Sequence, residues 1–118
     1  MPPPDSPAAG DALPLPPRPR AGQQRAAWRA PASPSAFALG LVALARAHDG
    51  LVLVAVRDTQ AAQALERDLQ VFSGDLPVLH FADWETLPYD LFSPHPDIVS
   101  QRVAALYRLP SIERGVLV

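Results

Sequence analysis

The stretch Leu51-Val52-Leu53-Val54-Ala55-Val56 is an unbroken run of aliphatic residues in a chain of 118 residues. A run of six such residues, rich in β-branched valine, is typical of a strand rather than a helix. A strand without polar alternation is expected where both faces of a sheet are covered, as in parallel sheets. We therefore predict a strand over 51–56 that is buried on both faces.

A helix is predicted directly before this strand. Its apolar positions recur at i, i+4 and i+7, at Phe37, Leu41 and Leu44. Ser33 or Ser35 can accept hydrogen bonds from the free N–H groups of the first turn. Asp49-Gly50 suits the end of the helix, because glycine adopts the backbone conformation of a C-terminal stop. One helix–strand step is the result.

The residues after the strand repeat this step. Asp58 or Thr59 can cap a second helix, and Ser73-Gly74 can close it. The apolar stripe of this helix recurs with helical spacing, at Ala62, Leu65, Leu69 and Phe72. The short run 78–81 then predicts a second strand.

A third step completes the ordered part of the chain. Asp97 is expected to cap a third helix, where its carboxylate also favours the positive end of the helix dipole. The predicted apolar stripe is Val99, Val103, Leu106 and Pro110, with Ile98 and Leu109 beside it. The run 115–118 predicts a third strand, on which the sequence stops.

This alternation predicts an α/β fold with three layers, in which helices flank a parallel sheet and the crossovers are right-handed. Because the sequence stops on an apolar strand, we expect the fold to be incomplete at its C-terminus. Residues 1–19 are crowded with proline and alanine and are expected to form a disordered arm. Residues 20–118 are expected to form the α/β part, with a transition segment around Trp28 before the first helix.

The composition narrows the possible functions. The net charge of -2 argues against binding nucleic acid by bulk electrostatics, and the absence of cysteine excludes thiolate metal sites and suits a reducing compartment. The three histidines are too far apart in sequence to form a paired metal site: His48, His80 and His95. Since no apolar run is long enough to span a membrane, we expect a cytoplasmic protein.

Nucleotide binding is disfavoured by the residues before the first helix. A phosphate-binding loop needs closely spaced glycines, a lysine and a following Ser or Thr. The sequence has Ala30-Pro31-Ala32-Ser33-Pro34-Ser35 at this place and contains no lysine at all. The two prolines also remove backbone donors that would hold phosphate. We expect no cofactor, no metal and no catalytic residue in this chain.

The segment after the second strand is the most distinctive part of the sequence. It reads Asp83-Trp84-Glu85-Thr86-Leu87-Pro88-Tyr89-Asp90 and continues to Asp97. Its aromatic residues, Trp84, Tyr89 and Phe92, could stack on bases, but the neighbouring carboxylates would repel phosphate. We therefore favour packing of this loop onto the domain or onto an adjoining one.

Three further residues are candidates for an interface in this region. His95 lies between two prolines and is expected to have a structural role. Arg102 and Arg108 lie off the predicted apolar stripe of the third helix, where arginine can pair with loop carboxylates or with a partner surface. The sequence alone leaves both uses open.

The loop and the residues after it resemble those of bacterial transcription-repair coupling factors. The resemblance covers roughly 20–118 and rests on residues in a fixed order: 83–90, Ser93-Pro94-His95, Asp97-Ile98, Arg102, Leu106-Tyr107, Leu109-Pro110 and 114–117. It implies the N-terminal module of that family, which is similar to the helicase-like component of the excinuclease. The implied fold is a degenerate P-loop-helicase-like subdomain that does not hydrolyse ATP.

For the full-length family the resemblance implies an ATP-dependent DNA translocase that displaces stalled RNA polymerase and recruits nucleotide-excision repair. ATP and Mg²⁺ would be used by a motor elsewhere in such a protein. The implied partners are RNA polymerase, the excinuclease damage-sensing subunit, double-stranded DNA and the remainder of the same polypeptide. Two alternatives are a free-standing α/β interaction module and a fragment of an excinuclease or helicase subunit.

Overall fold

The computed structural model describes residues 15–86 and 91–118. Three helices and three strands alternate in it, as the sequence predicts. Their bounds are α1 Pro34–Ala47, β1 Leu51–Leu53, α2 Thr59–Ser73, β2 Val78–Leu79, α3 Pro96–Arg108 and β3 Gly115–Leu117. A 3-10 turn, Leu109–Ser111, follows α3. The predicted α/β class is confirmed, while residues 1–14 of the proposed arm lie outside the described part.

The sheet is parallel throughout and has the order β1-β3-β2. β3 is therefore the central strand, with Val116 opposite both Val52 of β1 and Val78 of β2. Hydrogen bonds extend the ladder past the strand ends, since the Phe81 N–H donates to the Val118 carbonyl at 2.7 Å. The last strand in sequence is thus the one that joins the other two.

The ends of α1 and α2 follow the capping residues that the sequence offers. Ser33 is the N-cap of α1, and Asp58 is the N-cap of α2, where its Oδ1 accepts from the Ala61 N–H at 2.7 Å. Gly74 ends α2 with a φ of 57°, a left-handed conformation that suits glycine. Of the two cap residues predicted for each of these helices, the structure selects the earlier one.

The main core lies between α1, α2 and one face of the sheet. The predicted stripe of α2 is confirmed, with Phe72 partly buried at its end. The buried residues of this core are Ala38, Leu41, Val42, Ala45, Ala62, Leu65, Leu69, Leu76, Val116 and Val118. Trp28, which precedes α1, stacks on Phe37 at the edge of this core, with 5.5 Å between ring centroids. This contact packs the transition segment against α1.

The prediction that β1 is buried on both faces is wrong. Leu53 is 70% exposed, while Val52 and Val54 pack against the main core. The reason is the strand order, which places β1 at an edge of the sheet. On the second face, Ala105 of α3 and the strand residues Leu79 and Leu117 are buried, and this cover does not extend over β1.

The predicted cap and stripe of α3 are also wrong. His95 is the N-cap, and its Nδ1 accepts from the Asp97 N–H at 3.2 Å; Pro96 takes the first helical position. The side chain turned to the sheet is Ala105, with Ile98, Arg102 and Leu109 partly buried on the same side. The predicted stripe residues Val99, Val103 and Leu106 are exposed.

Candidate functional site

An open cleft lies where the three parallel strands end. Since the carboxyl ends of parallel strands meet at one edge, this edge is the usual place for ligand-binding loops in α/β proteins. The cleft has a volume of about 380 Å³. It is lined by the loop from β1 to α2, by the residues after β2, by Val118 and by Arg102 of α3.

Arg102 organises the loop that follows β2. Its guanidinium carbon lies 4.0 Å from the ring centroid of Phe81 and 4.2 Å from that of Trp84. The same guanidinium donates a hydrogen bond to the Ala82 carbonyl at 2.5 Å. Each arginine–ring contact contributes about 0.5–1 kcal/mol at exposed sites and more when it is desolvated. We call this arrangement of Phe81, Ala82, Trp84 and Arg102 the arginine clasp.

The loop turns sharply immediately after the clasp. The Trp84 N–H donates to Oδ1 of Asp83 at 2.8 Å, so this carboxylate binds the loop backbone and caps no helix. Glu85 has a φ of 57°, in the left-handed region that side chains other than glycine rarely adopt. The clasp is therefore followed by a residue whose backbone is strained.

His95 lies close to this turn in space. With Asp83 and Glu85 it lines a second cleft, which Thr59 and Gln63 of α2 close from the other side. Its Nδ1 also lies 3.4 Å from Oδ2 of Asp97, and both side chains are exposed. The structure thus brings Trp84, His95 and Arg102 into one region at the carboxyl ends of the strands.

The remaining candidates are not part of this cluster. Phe92 is 82% exposed, and its neighbour Leu91 is fully exposed. Arg108 lies at the other end of α3 and lines a shallow cleft beside β2. Tyr89 falls in 87–90, outside the described residues.

Two of the side chains that line the cleft, Arg57 and His80, lie close to a carboxylate. Nε of Arg57 lies 3.0 Å from Oδ2 of Asp58, and Nδ1 of His80 lies 3.5 Å from Oε2 of Glu66. Within residues 15–86 and 91–118, no group of three or more His, Asp or Glu side chains is arranged to hold a metal ion. No helix in the described part of the chain is long and apolar enough to cross a membrane.

Phe81 and the Ala82 carbonyl are partners of Arg102 that the sequence did not predict. Carboxylates are the expected partners of an arginine on a helix, whereas in the structure Arg102 binds two rings and a backbone oxygen. The sequence did contain one signal for this contact, namely two aromatic residues, Phe81 and Trp84, three positions apart at the end of a predicted strand. It does not show which residue of the third helix contacts both rings.

The fold defines the class of this protein as an α/β domain with a parallel sheet. The loop after β2, which Arg102 holds in place, lies at the carboxyl ends of the strands. Among proteins of known function, the chain is 42% identical over 99 residues to a transcription-repair-coupling factor of Escherichia coli, and the match covers 84% of this chain. It is 41% identical over 83 residues to that of Haemophilus influenzae and over 69 residues to that of Mycobacterium tuberculosis. These matches cover 70% and 58% of this chain. Comparison with models of protein families gives no match.

These relatives agree with one another and with the resemblance of the loop, and the chain belongs to the transcription-repair-coupling factor family. It spans only a small part of its relatives, covering 8% of the Escherichia coli protein, 7% of the Haemophilus influenzae protein and 6% of the Mycobacterium tuberculosis protein.

Proposed function

We propose that this chain is a noncatalytic α/β segment of a transcription-repair coupling factor, and that it serves as a scaffold for adjoining parts of the same polypeptide. The observation that carries the proposal is the 42% identity over 99 residues to a protein of that name. In the proposed role, the arginine clasp keeps the loop after β2 in a fixed position. An ordered loop loses less conformational entropy when a neighbouring domain packs on it.

The start of α1 supports the noncatalytic part of the proposal. Ser33 Oγ accepts from the Ala36 N–H at 3.4 Å, so a side chain of the protein itself occupies this helix end. Pro34 supplies no N–H at the first helical position. In residues 15–33, no strand precedes α1, whereas a phosphate-binding loop joins a strand to a helix. These features oppose the binding of a triphosphate at α1.

For the whole protein we propose the activity that the family resemblance implies. It would be an ATP-dependent DNA translocase that displaces stalled RNA polymerase and brings nucleotide-excision repair to the lesion. ATP and Mg²⁺ would bind in a motor that these 118 residues do not contain. RNA polymerase, the excinuclease damage-sensing subunit and double-stranded DNA would be its partners.

The reading frame of the gene tests this proposal. We expect it to extend this chain into a long polypeptide that includes a motor with an intact GK[ST] phosphate-binding loop, because the matched segment is only 8% of the Escherichia coli relative. A frame without such a motor would contradict the proposal. It would favour the second candidate, a free-standing interaction module, for which the exposed Leu91 and Phe92 would form the contact.

A further inference from the structure

The charges of this chain are unevenly distributed along the sequence. Residues 12–48 contain five of the ten arginines and neither aspartate nor glutamate, whereas residues 49–118 contain the other five arginines and ten aspartate and glutamate residues. The net charge of -2 therefore combines a basic segment with an acidic one. A charge asymmetry of this kind between two parts of a chain is typical of a segment that binds a polyanion.

The basic segment is tied to α1 at two points. Trp28 stacks on Phe37 near the start of α1, and the Arg18 guanidinium donates a hydrogen bond to the Ala47 carbonyl at its end. That carbonyl lies at the negative end of the helix dipole, where a cation is stabilised. The two contacts are ten residues apart both in the segment and in α1, so the segment runs antiparallel to the helix. We call residues 18–29 the basic strap.

A turn takes up the surplus length of the basic strap. Ten residues of α-helix span about 15 Å, whereas ten extended residues reach up to about 33–36 Å. The Gln23 N–H donates to the Arg20 carbonyl at 2.8 Å, and Gly22 has a φ of 83°. Glycine with a positive φ at the third position is typical of a type II turn. The turn shortens the strap, so that its two ends can reach the two ends of α1.

Three arginines of the basic strap are exposed and have no role in fastening it: Arg20, Arg25 and Arg29. In residues 15–86 and 91–118, the arginines that pair with a carboxylate all belong to α1 or to residues after it. A guanidinium presents its N–H donors in a fixed fork, which can bind an oxyanion through two parallel hydrogen bonds. The strap therefore offers three positive groups to a partner outside the described part of the chain.

The side chains of the basic strap favour a nucleic acid over a protein as the partner. The centre of a protein–protein interface is apolar and depleted of charge, but no large apolar side chain is exposed within 18–29. Exposed ion pairs with single carboxylates contribute only about 0–1 kcal/mol each. A nucleic-acid duplex carries one charge per about 1.7 Å of its axis, and each arginine that binds a phosphate also releases counterions.

Trp28 distinguishes between a duplex and a single strand. Proteins that hold single strands stack the bases on aromatic side chains. Trp28 is the aromatic residue of the basic strap, and its partly buried ring is already stacked on Phe37, with 22° between the ring planes. Because the strap has no other ring for a base, its contacts are with phosphates. The duplex has the higher charge density and is the better partner for such contacts.

We propose that the basic strap binds the phosphate backbone of a nucleic-acid duplex through Arg20, Arg25 and Arg29. The contact does not depend on base sequence, because phosphates are the same at every step of a duplex. It adds a binding role to the scaffold role proposed above. Its test uses the 118-residue chain and is independent of the reading frame of the gene.

Fluorescence anisotropy with labelled duplexes of DNA and of RNA, equal in length, tests the proposal at a series of salt concentrations. The strap variant combines Arg20→Gln, Arg25→Gln and Arg29→Gln. The control variant removes the same charge from three exposed positions after α1, by Arg57→Gln, Arg67→Gln and Arg108→Gln. Thermal unfolding checks that both variants fold.

We expect the unmodified chain to bind a duplex at low salt. Its association constant should fall about 40-fold between about 50 and 200 mM salt, as expected for three phosphate contacts. The strap variant should lose this binding, whereas the control variant should keep the same salt dependence, because its arginines contact no phosphate. Binding of either duplex supports the proposal, and the comparison of DNA with RNA identifies which duplex the strap prefers.

Four results would overturn the proposal and leave the proposed function intact. The first is that the unmodified chain binds neither duplex at low salt. The second is an equal loss of binding in both variants, which would assign the effect to net charge. The third is that a polyglutamate peptide binds as tightly as the duplexes, in which case the partner is an acidic protein. The fourth is tighter binding of a single strand than of the duplex of the same length.

Discussion

The guanidinium of Arg102 lies over the indole ring of Trp84, with 4.2 Å between its central carbon and the ring centroid. Because the ring centroid of Phe81 lies 4.0 Å from the same carbon, the arginine joins the end of β2 to the loop that leaves it. Arg102 and Trp84 belong to different elements of the fold. The contact fixes α3 to the sheet edge and positions the most distinctive part of the sequence.

Replacing Arg102 by methionine should open the loop. The change removes two arginine–ring contacts and the hydrogen bond to the Ala82 carbonyl, which together contribute about 1–3 kcal/mol. We expect a lower free energy of unfolding in urea and stronger acrylamide quenching of Trp84 in a Trp28→Phe background. Arg108→Met is the control on the same helix, and an equal effect there would contradict the role assigned to the clasp.

Truncation of Leu69 tests the main core. This side chain has no exposed surface, so Leu69→Ala should lower the free energy of unfolding by about 2–5 kcal/mol. Val71→Ala on the same helix removes a side chain that is 75% exposed, and should change stability by less than about 0.5 kcal/mol. Urea unfolding of both variants gives the comparison. Similar losses would mean that α2 is rotated relative to the structure described.

A methyl group at position 115 should strain the start of β3. A Cβ there would lie 2.8 Å from the Pro77 carbonyl oxygen, and that oxygen also accepts from the Val116 N–H at 2.9 Å. Gly115→Ala should therefore lower the free energy of unfolding by about 1–3 kcal/mol. Thermal unfolding measures the loss, and an unchanged melting temperature would show that β2 and β3 are further apart than described.

The cap of α2 is tested by a pair of changes at one position. Asp58→Ala removes the acceptor of the Ala61 N–H and should cost about 0.5–2 kcal/mol, whereas Asp58→Asn keeps an acceptor and should cost less. Both variants also break the exposed pair with Arg57, so the difference between them isolates the cap. Equal stability of the two variants would assign the effect to the ion pair.

The sequence predicts the elements that depend on local patterns. The alternation of helix and strand, a pair of candidate caps for α1 and another for α2, and the stripe of α2 all follow from neighbours within a few residues; the structure selects Ser33 and Asp58 as the caps. The side of α3 that faces the sheet does not, because Arg102 is held there by the Ala82 carbonyl, 20 residues earlier in the chain. For α3, a prediction from the apolar residues alone therefore chose the wrong side of the helix as the buried one.

The exposure of Leu53 could not be predicted for a similar reason. An aliphatic run predicts a buried strand, but burial depends on the position of that strand in the sheet, and the order β1-β3-β2 is set by contacts between distant segments. The arginine clasp is likewise a contact between distant residues. The sequence identified Trp84 and Arg102 separately as candidates but neither Phe81 nor Ala82, and only the fold brings the four together.

Calorimetric titration of the 118-residue chain with ATP and Mg²⁺ tests the central claim most directly. The claim is that this segment of a coupling factor is noncatalytic, because Ser33 and Pro34 close the start of α1 and no lysine is present to hold a phosphate. We predict no saturable heat at micromolar to millimolar ATP, and unchanged thermal unfolding. Saturable binding in the micromolar range would contradict the account.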